Sequence, residues 1–139
     1  RFRNVTGVQT CALPILIEPC GFVLEDRRLR RAAMDYLDHL EMTRHASWDA
    51  FLAARGVGGR LVLLTTAAES LYADFAFRAD DTLILGRESA GVPELVHARA
   101  DARLRVPLVR GLRSLNVAVT AAMVLGEALR QTRQFSENR

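Results

Sequence analysis

Five short apolar runs are spaced along the chain, and each stops where the backbone must turn. The run at 13–18 meets Pro19 and Gly21 and predicts a buried parallel strand. A weaker run at 36–42 is also expected as a strand. The sequence RLVLLTT at 60–66 is the strongest of the five. The run at 82–86 ends at Gly86, with Gly91 and Pro93 close behind, and the run at 103–106 is stopped by Pro107.

Helical spacing fills the intervals. Asp26 suits the cap of a helix reaching about Met34, and Ser47 the cap of one carrying Trp48, Phe51 and Leu52 to Arg55, ended by glycines. Trp48 and Phe51 read as core. Pro93 fits the first turn of a helix to Ala98, and Ser114 is expected to cap a long terminal helix. Val117, Ala118, Ala121, Ala122, Leu125, Ala128 and Leu129 give that helix a broad apolar stripe, with Gly126 a mild cost inside it. The stretch 70–77 reads either as a short helix or as an irregular crossover. Strands separated by helices imply an α/β fold, a parallel sheet with flanking helices. In open sheets of this kind ligands sit at strand ends that open into glycine-rich loops, so the chemistry is expected after Leu85 and after Val106.

Composition narrows this further. A chain of 139 residues, half of them hydrophobic, fits one globular domain. No apolar run reaches the roughly 20 residues of a membrane span, and no stretch reads as a secretion signal, so a cytoplasmic protein is expected. The formal charge is +3 and every basic residue is arginine, which permits a polyanionic partner. Codon bias in a GC-rich genome is the plainer reading of the missing lysines; the consequence for phosphate contacts holds either way. Cys11 and Cys20 make no disulfide framework, and His39, His45 and His97 have no metal-ligand spacing with them, so no metal site is expected. Ser89 lies in the wrong glycine frame for a hydrolase nucleophile.

Gly86, Glu88 and Gly91, followed by Arg113, Ser114, Leu115 and Asn116, resemble two paired motifs of the SPOUT (trefoil-knot) RNA methyltransferases. Ile17, Glu18, Pro19, Cys20, Gly21 and Phe22, then Leu29, Arg30, Arg31, Ala32, Leu37 and Asp38, are similar to the small branch that methylates the ribose 2′-hydroxyl of the wobble nucleotide in tRNA. The resemblance implies a C-terminal trefoil knot, S-adenosylmethionine as methyl donor, tRNA as partner and a homodimer packed through the terminal helix. By matched position it implies Leu64, Thr65, Gly86, Val106, Leu108, Ser114 and Leu115 as cofactor-binding residues. Glu88, Arg113, Ser114 and Asn116 would organise the reacting centre. Arg27, Arg28, Arg30 and Arg31, with Arg110, would contact RNA phosphates; a solvated helix face is the plainer reading of the first four.

The run VTGVQTCALPI at 5–15 resembles the in-frame translation of a DNA-sequencing adapter, so residues 1–15 are expected to be non-native. The domain is then expected at 16–133, with a frayed tail at 134–139. The family opens with a strand, an Asn-Thr-Gly-Asn-like loop and a helix bearing an arginine tied to catalysis, and no residue here matches that arginine. Two alternatives stay open beside the wobble methyltransferase: an RNA-binding protein of this fold without turnover, and a methyltransferase of another RNA site. An unrelated small-molecule-binding α/β domain is a third.

Overall fold

The computed structural model describes residues 14–19, 42–87 and 90–135. They fall in two compact units, the first within Arg1–Val57 with Phe135–Arg139 and the second Gly58–Gln134.

In the first unit, β1 (Ile15–Ile17) pairs in parallel with β2 (Thr43–His45). The ladder continues past the strands, from Thr43 N–H to the Pro14 carbonyl at 3.1 Å and from Glu18 N–H to the His45 carbonyl at 2.9 Å. Of the strand expected at 36–42, residues 36–41 lie outside the described residues; Met42 immediately precedes β2. β2 runs into Ser47, whose Oγ accepts from the Ala50 N–H at 3.1 Å and opens α1 (Trp48–Arg55). Gly56, at φ 64°, ends that helix as expected. Phe51 is buried beneath it, with the Trp48 ring 5.3 Å away and the His45 ring edge-on at 5.6 Å. Trp48 itself is only half-buried. The helix expected at 26–34 lies outside the described residues.

The second unit is built on an all-parallel sheet in the order β4–β3–β5, with β3 at Leu61–Leu64, β4 at Thr82–Leu85 and β5 at Ala102–Leu104. β3 is buried at all four positions, which is why its sequence is continuously apolar rather than alternating. The starts of the strands are held by polar clamps. Arg60 Nε and Nη2 donate to the two Asp81 carboxylate oxygens at 2.8 and 2.7 Å, and the guanidinium lies 4.6 Å from the Phe75 ring centre. Asp101 accepts from the Leu61 N–H at 2.7 Å and returns its own N–H to the Leu61 carbonyl.

The last strand differs from expectation. β5 stops at Leu104, whose carbonyl accepts from the Thr65 N–H at 2.9 Å on the β3 side, while the Arg105 backbone faces the opposite edge. Arg105 N–H donates to the Ser70 carbonyl at 2.9 Å and the Arg105 carbonyl accepts from Tyr72 N–H at 3.1 Å, so Leu71 and Arg105 form a parallel bridge. This resolves the stretch at 70–77: a bridge residue, a 3-10 turn at Tyr72–Asp74, then an extended piece.

Two helices cover the sheet. α2 (Glu94–Arg99) has Pro93 at its N-cap rather than in its first turn. α3 (Val117–Thr132) is capped by Asn116, not by the expected Ser114: the Asn116 Oδ1 accepts from the N–H groups of Ala118 and Val119 at 2.8 and 3.4 Å. Two residues further upstream, Ser114 precedes the cap. The expected apolar stripe of α3 also divides. Val124, absent from it, is fully buried against Val62, Leu64, Phe77 and Leu104, while Ala118 and Ala122 face outward beside exposed Val119 and Met123. Gln131 latches the extended piece to this helix, accepting from Phe77 N–H at 2.9 Å and donating to the Phe75 carbonyl at 3.0 Å.

Candidate functional site

The three strands of the second unit point their C-terminal ends at one cavity of about 370 Å³. β3 supplies Leu64, Thr65 and Thr66; β4 supplies Leu85, Gly86 and Arg87; the following loop supplies Ala90, Gly91 and Val92. Val106 and Leu108 enter from beyond β5, then Arg113, Ser114 and Leu115, then Val117 and Thr120 from the first turn of α3. His97 completes it from α2.

The loop after β4 is closed by its own backbone. Arg87 N–H donates to the Gly91 carbonyl at 3.0 Å, and Gly91 N–H donates to the Arg87 carbonyl at 2.8 Å. Gly91 sits at φ 62°, the left-handed region that glycine adopts without strain. Gly86 lies against this closure: a Cβ there would be 2.5 Å from the Gly91 carbonyl carbon. The loop's own backbone therefore requires glycine at 86. After β5, Leu112 N–H donates to the Val109 carbonyl at 3.1 Å, with Gly111 at φ 97° in the third position. That is the glycine position of a type II turn. The turn lifts Val109, Arg110 and Leu112 outward and returns the chain to the cavity at Arg113.

All seven residues expected to bind cofactor, together with Arg113, therefore meet at one cavity. Asn116 caps α3 and is not among the lining residues; Arg110 is exposed on the turn. Glu88, Arg27, Arg28, Arg30 and Arg31 lie outside the described residues. Thr66, Leu85, Arg87, Ala90, Gly91, Val92, His97, Val117 and Thr120 also line the cavity and were not expected as site residues. Thr66, Leu85, Arg87 and Val117 adjoin predicted ones in sequence, but His97 and Thr120 reach the cavity only through where their helices pack.

The groups with displaced titration lie away from the cavity lining. Hydrogen bonding to Asp81 holds Arg60 more firmly protonated. Hydrogen bonds from Arg130, then Gln131, lower Glu127 from 4.5 to about 2. Among the described residues no cluster of His, Cys, Asp or Glu could hold a metal ion, and no helix is long and apolar enough to cross a membrane.

A cavity of this size, with an apolar wall of Leu64, Leu85, Val106, Leu108 and Leu115 and a few hydroxyl and arginine side chains, fits a nucleoside-sized ligand. The sequence model of the SpoU rRNA Methylase family matches residues 2–126, and the chain belongs to that family. It is similar to the tRNA (cytidine(34)-2′-O)-methyltransferase of Beijerinckia indica subsp. indica, 62% identical over 117 residues, 84% of this chain and 73% of the relative. The protein of the same name from Ancylobacter novellus is 56% identical over 122 residues, 87% and 77% of the two chains. Among solved structures, one described as "Structural insights into the 2-OH methylation of C/U34 on tRNA" aligns with a TM-score of 0.77 at 40% identity, covering 85% of this chain and 78% of that one. An AdoMet-bound rRNA methyltransferase from Sinorhizobium meliloti aligns with a TM-score of 0.76 at 26% identity, covering 86% and 46%.

Proposed function

We propose that this chain transfers a methyl group from S-adenosylmethionine to the ribose 2′-hydroxyl of the wobble nucleotide, cytidine or uridine 34, of tRNA. The observation that carries this reading is that the loop at Gly86 to Gly91 and the segment at Arg113 to Leu115, 22 or more residues apart in sequence, line one cavity. Relatives at 62% and 56% identity that bear the name of this activity support the choice of substrate.

When bound, S-adenosylmethionine supplies a sulfonium methyl open to in-line displacement. Transfer to a ribose 2′-oxygen would break the sulfur–carbon bond and release the hydroxyl proton to a base or to water. The protein's share is positioning and proton management. Leu64, Val106, Leu108 and Leu115 provide the apolar wall for an adenosine, with Thr65 and Gly86 on its flank. Ser114 and the Asn116 amide hold the 2′-oxygen near the methyl. Arg113, with Arg110 above it, holds phosphate or ribose, and Glu88 orders the loop and the substrate. Arg27, Arg28, Arg30 and Arg31 add phosphate contacts. In this reading the segment at 65–72, hydrogen-bonded to Leu104 and Arg105, is part of a trefoil knot. The exposed face of Ala118, Val119, Ala122 and Met123 is covered by a second subunit in the cytoplasm.

The test is to incubate the chain with unmodified tRNA transcript and S-adenosylmethionine, then digest and sequence by mass spectrometry. A 14-dalton gain on nucleotide 34, about one methyl group by this mechanism, is the expected result, absent when that nucleotide is 2′-deoxy. Methylation elsewhere in the tRNA, or of the base, overturns the reading.

A further inference from the structure

We infer that His97 is a further binding residue of this cavity, its imidazole accepting a hydrogen bond from an N–H or O–H group of the bound methyl donor. The inference rests on the reading proposed above. α2 contributes only His97 to the lining, and it does so from a fixed backbone. Arg103 Nε and Nη2 both donate to the His97 carbonyl, at 3.1 and 2.9 Å, and His97 N–H donates to the Pro93 carbonyl at 3.3 Å. The preceding residue, Val96, is buried. The side chain itself is half-buried at the cavity, and no hydrogen bond or ion pair to it is found among the described residues. A polar ring carried on a fixed backbone beside a cavity, with no partner among the described residues, has hydrogen-bonding capacity to offer a ligand.

The donor–acceptor balance of the lining says which kind of bond. Arg87 and Arg113 are the charged side chains there, and a guanidinium can only donate. No carboxylate lines the cavity among the described residues. Thr65 Oγ1 already accepts from the Ala67 N–H at 3.3 Å. S-adenosylmethionine carries an ammonium, an adenine amine and two ribose hydroxyls, all donors in need of acceptors. The imidazole offers a directional acceptor on a rigid support.

The test uses the 139-residue chain and S-adenosylhomocysteine as probe, by isothermal titration calorimetry, with unfolding temperatures measured without ligand. His97→Leu is expected to weaken binding about 5- to 10-fold, the loss of one hydrogen bond, with His97→Gln within about 3-fold of the original. If His97→Leu does not fold, His97→Ala decides on the same scale. Binding by His97→Leu within about 2-fold of the unaltered chain overturns this inference alone. No binding by the unaltered chain overturns it together with the methyl-donor reading.

Discussion

A Cβ on Gly86 would stand 2.5 Å from the carbonyl carbon of Gly91 and 2.7 Å from its Cα, so these two glycines are in backbone contact across the loop that closes one side of the cavity. Gly86→Ala must push that loop open. We expect a loss of about 1–3 kcal/mol in denaturant unfolding, the usual cost of overpacking, together with weaker S-adenosylhomocysteine binding. Gly126, with nothing within 4 Å of its Cβ position inside α3, is the internal contrast: Gly126→Ala should gain up to about 1 kcal/mol. Equal effects at the two positions would remove the steric explanation.

Asn116 separates capping from chemistry. Its Oδ1 caps α3, so Asn116→Ala should cost about 1 kcal/mol, whereas Asn116→Asp keeps the oxygen and the stability. The aspartate lacks the amide donors. A methyl-transfer rate that drops in Asn116→Asp while stability holds would assign the amide N–H to the reaction; an unchanged rate would leave Asn116 as a cap alone.

The Arg60–Asp81 clamp joins the starts of β3 and β4, and the Asp81 carboxylate is only 3% exposed. It also accepts from the Arg78 N–H at 2.8 Å. Asp81→Ala is expected to destabilise the chain by about 2–3 kcal/mol because it strands donors beside a charged group. A measured loss under about 0.5 kcal/mol would class the pair with inert surface contacts.

Glu127 predicts an acid-dependent contribution from α3. Arg130, then Gln131, hold its carboxyl at about 2 against an ordinary 4.5. A depressed folded-state value means the contribution is complete above 4.5 and disappears as pH falls toward 2. The difference in unfolding midpoint between the original chain and Glu127→Gln should therefore be flat at neutral pH and shrink through that window. A difference that stays constant down to the lower limit would contradict the assigned hydrogen bonds.

Arg110 is exposed on the turn between Val109 and Leu112. If it meets tRNA phosphate, Arg110→Ala weakens tRNA binding and lowers the slope of log affinity against log salt by about 1. A slope unaltered by the change would return Arg110 to solvent.

The pattern of apolar runs was enough to determine a parallel α/β fold, to place β3 and β4 within a residue or two, and to mark Gly86 as turn chemistry beside the cavity. These features are local: a continuous LVLL reports burial on both faces, and Ser47 followed by an amphipathic turn reports a helix start. Matched motif positions added Leu64, Thr65, Val106 and Leu108 to the same site. Tertiary structure alone decided the rest. Arg105 pairs with Ser70 and Tyr72 on the edge away from β3, a long-range pairing with no sequence signal. Asn116 rather than Ser114 caps α3, and Val124 rather than Ala122 faces the sheet, because the rotation of a helix is fixed by what it packs on. His97 reaches the cavity for the same reason: local spacing fixes which residues share a helix face, and only the packed neighbour decides what that face meets.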